Sequence, residues 1–187
     1  TNKLKRIYAL GKEIAPTSML FDYNQISEII VPEGDYFCGM SQLETFSCSN
    51  NRLTKLPDLF SARSIYAMLT ADFSSNEISE LENGDEWRGI NTGTLNLADN
   101  RFTTLPKHLI GSGSTVEVLM LSANGLRTIE EGALIGANSA MLSTIDLSFN
   151  RLTELPEGDF SKSNLPYLYG IDLSSNALSE FPRQLLE

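Results

Sequence analysis

Along most of this chain short runs of alternating apolar and variable residues recur in one fixed frame, each run followed by an asparagine and then by a further apolar residue. Two copies match at nearly every position: Leu142-Ser143-Thr144-Ile145-Asp146-Leu147-Ser148-Phe149-Asn150-Arg151-Leu152, and Leu168-Tyr169-Gly170-Ile171-Asp172-Leu173-Ser174-Ser175-Asn176-Ala177-Leu178. The same frame fits Leu43, Phe46, Cys48, Asn51 and Leu53, and then Met68, Ala71, Phe73, Asn76 and Ile78. It continues through Leu95, Leu97, Asn100 and Phe102, and through Val116, Leu119, Leu121, Asn124 and Leu126. A weaker first copy has Met19, Phe21, Asn24 and Ile26. The asparagines thus stand at 24, 51, 76, 100, 124, 150 and 176, with spacings of 27, 25, 24, 24, 26 and 26 residues.

Alternation with period 2 is the pattern of a strand with one buried face, so each copy predicts one short strand. Equivalent strands stacked side by side, about 4.8 Å apart, would make a parallel sheet along one face of a coil. The chain must turn after each strand, leaving backbone N–H and C=O groups aimed inward, and an unpaired buried group costs about 1–3 kcal/mol. An asparagine amide carries both donors and an acceptor, so Asn24, Asn51, Asn76, Asn100, Asn124, Asn150 and Asn176 are expected to form a buried ladder that satisfies those turns. The return half of each copy ends on a large apolar residue: Tyr36 or Phe37, Phe60, Trp87, Leu134 and Phe160. A short helical or 3-10 turn would fold these inward as core.

The frame resembles the L-x-x-L-x-L-x-x-N-x-L signature of the leucine-rich-repeat family, and its period lies within the roughly 20–29 residues of such repeats. The resemblance covers about nine tenths of the chain. It implies an α/β repeat fold: a curved solenoid of about seven repeats, a parallel sheet on its concave face and short helical, 3-10 or irregular segments on its convex face. One domain over residues 1–187 is expected, with residues 1–15 as a helical cap or partial repeat and 16–187 as seven repeats, the last incomplete. Leu4, Ile7 and Tyr8 at helical spacing, with Gly11 as a stop, predict a short helix over residues 4–10. The last repeat breaks off in its return half, which points to a piece of a longer protein.

Composition narrows what such a coil could do. With 14 Lys and Arg against 24 Asp and Glu, the net charge of −10 disfavours nucleic acid, whose phosphates need a basic patch. Nor does any stretch approach the roughly 18 apolar residues of a spanning helix, so direct membrane insertion is not expected. Cys38 and Cys48 are too few for a disulfide framework, and Cys48 falls at an inward position. The one histidine, His108, stands just after Leu105-Pro106 on the return side, away from the Asp positions, and no nucleophile–base–acid set is apparent. The chain therefore reads as a non-catalytic protein with no cofactor and no metal.

Function then falls to the variable positions that point outward from the strands. Four residues before each asparagine the column reads Leu20, Ser47, Asp72, Asn96, Met120, Asp146 and Asp172. The position immediately before it contains Tyr23 and Phe149 among small or polar residues. Tyr23, Met120 and Phe149 are the large apolar outliers and hence the anchor candidates for a protein partner. Asp146 and Asp172 would sit about 5 Å apart, close enough to attract a cation, but the same Asp is a common filler in D-L-S-x-N versions of the repeat. One place after the asparagine, Arg52, Glu77, Arg101 and Arg151 predict a surface charge ladder whose arginines could meet carboxylates. Protein recognition is the leading function, a structural spacer the second, and glycan binding a third that would need several exposed aromatic platforms close together. Sparse cysteine, an acidic surface and no N-x-Ser/Thr sequon resemble bacterial surface or exported leucine-rich-repeat proteins more than animal or plant receptors. An extracellular or cell-surface location is the corresponding expectation.

Overall fold

The computed structural model describes residues 2–8, 16–30, 42–58, 68–82, 90–107, 109–110, 114–135 and 141–186. One strand comes from each copy of the frame: β2 (Ser18–Leu20), β4 (Thr45–Ser47), β6 (Met68–Asp72), β8 (Asn91–Asn96), β10 (Thr115–Met120), β12 (Thr144–Asp146) and β13 (Gly170–Asp172). They form a seven-stranded parallel sheet in simple sequential order, β2 at one edge and β13 at the other. Equivalent residues pair throughout, so Phe46 stands opposite Ala71, Ala71 opposite Leu95, and Ile145 opposite Ile171. A solenoid follows directly: neighbouring repeats differ by one strand step, and each buries its apolar side against the next.

The inward residues form one continuous core. Phe46, Phe73, Leu95, Leu97, Leu119, Leu121, Ile145 and Leu147 are fully buried. Phe21, Phe46 and Phe73 stack in tilted pairs with centroids 6.1 and 5.5 Å apart, and Ala71 supplies the small neighbour that leaves room for them. On the return side Leu109, Ile110, Leu134, Phe160 and Leu165 close the coil from behind. Tyr36, Phe37, Phe60 and Trp87 lie outside the described residues.

The asparagine side chains tie each turn to its predecessor. Oδ1 of Asn24, Asn51, Asn76, Asn100, Asn124, Asn150 and Asn176 accepts the backbone N–H of Leu4, Ile26, Leu53, Ile78, Phe102, Leu126 and Leu152, at 2.9–3.2 Å. From Asn51 onward, Nδ2 also donates across the repeat boundary, for example to Cys48 O from Asn76 and to Phe73 O from Asn100. Each side chain thus satisfies backbone on two coils at once, which apolar packing alone could not do.

A second row of short strands was not foreseen from the sequence. β1 (Arg6–Tyr8) pairs with β3 (Glu28–Ile30), β5 (Lys55–Leu56) with β7 (Glu80–Leu81), and β9 (Thr104–Leu105) with β11 (Thr128–Ile129), all parallel. Cross-repeat pairs flank them: Arg6 with Glu28 and Lys55 with Glu80, each at 3.0 Å. Here the helix expected over residues 4–10 is corrected for residues 6–8, which are strand; Ile7 is core, while Tyr8 is exposed. The run Asn2-Lys3-Leu4-Lys5-Arg6-Ile7 repeats the frame of Asn51-Arg52-Leu53-Thr54-Lys55-Leu56, and pairing with the next coil overrides the helical spacing. The one helical element that lies wholly within the described residues is a 3-10 turn, Arg183–Leu186, and among the described residues no helix is long and apolar enough to cross a membrane.

Candidate functional site: the sheet-lined face

The outward side of the seven-stranded sheet is assembled from aligned columns. Leu20, Ser47, Asp72, Asn96, Met120, Asp146 and Asp172 are register partners in unbroken sequence. A parallel column two residues earlier, unremarked in the sequence, reads Ser18, Thr45, Thr70, Thr94, Val118, Thr144 and Gly170. The face is therefore a lattice of hydroxyls and carboxylates, interrupted by a few large side chains.

The polar column also shapes the turns. Oδ1 of Asp72, Asp146 and Asp172 accepts the backbone N–H of Ser74, Ser148 and Ser174 at 2.8–3.0 Å, and Asn96 does the same for Ala98. These are side-chain-to-backbone turns that steer the chain out of the strand. The Ser174 hydroxyl, then its backbone N–H, hold the Asp172 carboxyl below the ordinary aspartate range. Asp22, two places before its asparagine, accepts the Ser49 N–H at 2.8 Å and the hydroxyls of Ser47 and Ser49. Asp146 and Asp172, neighbours in register, are thus each committed to their own turn, and no cluster of potential metal ligands occurs among the described residues.

The residue immediately before each asparagine adopts left-handed backbone: Tyr23, Asn50, Ser75, Asp99, Ala123, Phe149 and Ser175 have φ of 53–55°. That conformation suits Gly, Asn and Asp and costs other L-residues about 1–2 kcal/mol. It also aims the side chain into solvent, and Tyr23 and Phe149 are 69% and 65% exposed. Met120 is half-buried, and Arg101 and Arg151 lie exposed just past the turn, Arg101 paired with Glu77 at 3.0 Å. Sequence reasoning overlooked three more exposed apolar groups, Leu69, Tyr167 and Tyr169. Leu69 and Tyr169 share the column seven residues before the asparagine, where the backbone bulges: N–H groups of Tyr169 and Gly170 both donate to Ser143 O. Two apolar residues separated by L-x-x-L spacing gave no periodic signal for that bulge.

Groups that might carry chemistry are elsewhere or occupied. The Cys48 thiol is a fully buried free cysteine, pushed up to about 12 by burial and then by the Asp22 charge. His108 and Cys38 lie outside the described residues. Away from the sheet, a cleft of about 500 Å³ opens between the sixth and seventh return segments, with Glu154, Glu157, Glu180 and Phe181 on its walls.

Comparison with known proteins fits this architecture. The family model described as Leucine Rich Repeat matches residues 42–62 and 141–163. A crystal structure of a leucine-rich repeat protein from Bacteroides eggerthii superposes on 98% of this chain with a TM-score of 0.85 and 36% identity. Another, from Bacteroides thetaiotaomicron, gives 98%, 0.84 and 34%. The chain spans 32% and 23% of those two proteins. It is also 32% identical over 110 residues to mouse leucine-rich repeat serine/threonine-protein kinase 1, covering 58% of this chain and 6% of that protein. The unbroken registers, the asparagine bonds across every repeat boundary and these similarities show the leucine-rich-repeat solenoid fold, which commonly mediates protein–protein interaction.

Proposed function

We propose that this chain is a non-catalytic protein-recognition module that binds its partner on the sheet-lined face, with Phe149 and Met120 as anchors. The observation that carries this reading is the placement of Phe149. An exposed phenylalanine occupies a left-handed turn position where Ser75 and Ser175 suffice in other repeats and where Asn50 and Asp99 fit at lower backbone cost. A large aromatic among small polar neighbours is the composition of an interface hot spot. A partner seated there would also meet the tips of Asp146, on the strand that leads to Phe149, and of Met120, on the adjacent strand. The similarity to Bacteroides proteins supports a bacterial source, and we place the module outside the cell, as part of an exported or surface protein.

Phe149→Glu combined with Met120→Glu tests the reading in a binding assay run beside a thermal melt. Loss of the partner with an unchanged melting temperature supports recognition through this face. Retained binding, or no loss of any function of the protein, would instead favour a spacer whose surface is inert.

A further inference from the structure

The distribution of charge on the sheet-lined face is one-sided. Across the seven stretches that run from the strand bulge to the left-handed turn, residues 17–23, 44–50, 69–75, 93–99, 117–123, 143–149 and 169–175, there are seven carboxylates: Asp22, Glu44, Asp72, Asp99, Glu117, Asp146 and Asp172. The same 49 residues contain no Lys, Arg or His. The described basic side chains fall on the other surfaces: Arg52, Arg101 and Arg151 past the turns, Lys55 on the second strand row, Lys107 beyond it. Arg101 is matched by Glu77 and Lys55 by Glu80, as Arg6 on the second strand row is by Glu28. Among the described residues the carboxylates of the sheet have no such cationic counterpart; the turns use backbone N–H and serine hydroxyls instead.

Three exposed aromatic rings stand on the same face, Tyr23, Phe149 and Tyr169, the first two held out by left-handed backbone. Aromatic faces and carboxylates attract the same partner group, an ammonium or guanidinium, the ring through its quadrupole and the carboxylate through its charge. Glu44 and Glu117 are exposed, and with Asp99 they lie in three different repeats, so the negative potential extends along the face. A nucleic acid or acidic protein segment would be repelled from such a surface.

Resting on the recognition reading above, we infer that the face takes a Lys- and Arg-rich segment of a partner protein, its cations lying against Glu44, Asp99 and Glu117 and against the Phe149 and Tyr169 rings. The fit is one of charge complementarity, so binding weakens steeply as salt rises past the range where the Debye length is about 8 Å.

The test is selection of a phage-displayed random peptide library on the intact chain, followed by affinity measurement of synthetic winners on three variants. One is Phe149→Asn. The second, Glu44→Gln/Asp99→Asn/Glu117→Gln, removes three charges from the face without touching the aspartates that hold turns. The third, Glu154→Gln/Glu157→Gln/Glu180→Gln, removes three charges from the return side. Winners that depend on Phe149 are expected to be rich in Lys and Arg, to bind about tenfold more weakly to the second variant, and to bind the third unchanged. Phe149-dependent winners that are neutral or acidic, or equal losses on the second and third variants, overturn the inference while the recognition reading stands. If no winner depends on Phe149, both are overturned.

Discussion

Replacing Asn100 by alanine isolates what a single rung of the ladder contributes. Its Oδ1 accepts the N–H of Ile78 at 2.9 Å, and its Nδ2 donates to the carbonyls of Phe73, Leu97 and Ala98 at 3.0–3.2 Å. Ile78 is fully buried, so alanine strands its N–H away from water, while the carbonyls keep other donors: Asn76 Nδ2 at Phe73, Asn124 Nδ2 at Leu97 and the Ser75 N–H at Ala98. One stranded buried N–H costs about 1–3 kcal/mol, out of a total stability of about 5–15 for an ordinary domain. For a chain of this length that lowers the melting temperature by about 2–12 °C, measured by circular dichroism. Asn100→Asp sharpens the test. It keeps an acceptor for Ile78 but faces a carboxylate toward the three carbonyls, so at neutral pH it should destabilise at least as much as alanine. The carboxyl's folded pKa would lie above its unfolded value, so the penalty shrinks as acid protonates it. A change below about 0.5 kcal/mol for Asn100→Ala would refute the bridging role, since surface substitutions lie in that range.

Three further outcomes follow from particular contacts. Phe149→Asn relieves a left-handed phenylalanine, so the melting temperature should hold or rise, by up to about 1 kcal/mol in stability, while partner binding falls; a clear loss of stability would mean that the ring packs as core. Asp159 is fully buried and accepts the N–H groups of Gly132 and Leu134 at 2.8 and 3.0 Å, so Asp159→Ala should cost about 2–4 kcal/mol in urea denaturation, whereas an exposed, dispensable carboxylate would cost almost nothing. In a Cys38→Ser background Cys48 should resist a thiol reagent at pH 8 until the chain unfolds, because its folded value of about 12 keeps it protonated. As a raised acid, that thiol contributes stability that is complete below its ordinary value near 9 and lost as pH rises toward 12; prompt labelling of the folded chain would contradict the burial.

The sequence was most legible where one residue type has a single physical use. The asparagine interval set the repeat, and L-x-L alternation set both the strands and the outward columns, because a pleated strand leaves no freedom about which residues face out. Legibility failed where tertiary pairing outweighed local pattern. Leu4, Ile7 and Tyr8 fit helical spacing, yet the Asn2-x-Leu4-x-x-Ile7 frame already matched Asn51-x-Leu53-x-x-Leu56 and pointed to the strand that forms. The second strand row was invisible because its members are two or three residues long, shorter than any periodicity can register. In the candidate site, Tyr23, Met120 and Phe149 could be picked out by size alone. The turn-holding use of Asp72, Asp146 and Asp172 was present as a repeated Asp-x-Ser spacing, a turn signature that their acidic charge obscured. Left-handed backbone at Phe149 had no sequence marker at all, since Gly or Asn, its usual signs, is absent there.

The claim that binds these observations is that the coil commits its interior to stability and its sheet-lined face to recognition. Hydroxyl-radical footprinting of side chains, with and without a peptide selected on this chain, tests it most directly, because Phe, Tyr and Met report solvent access themselves. Phe149, Met120 and Tyr169 should become protected together while Tyr8 and Phe181, exposed on other surfaces, react as before. Protection of Phe181 or Tyr8 with Phe149 still fully reactive would place recognition elsewhere and contradict the account.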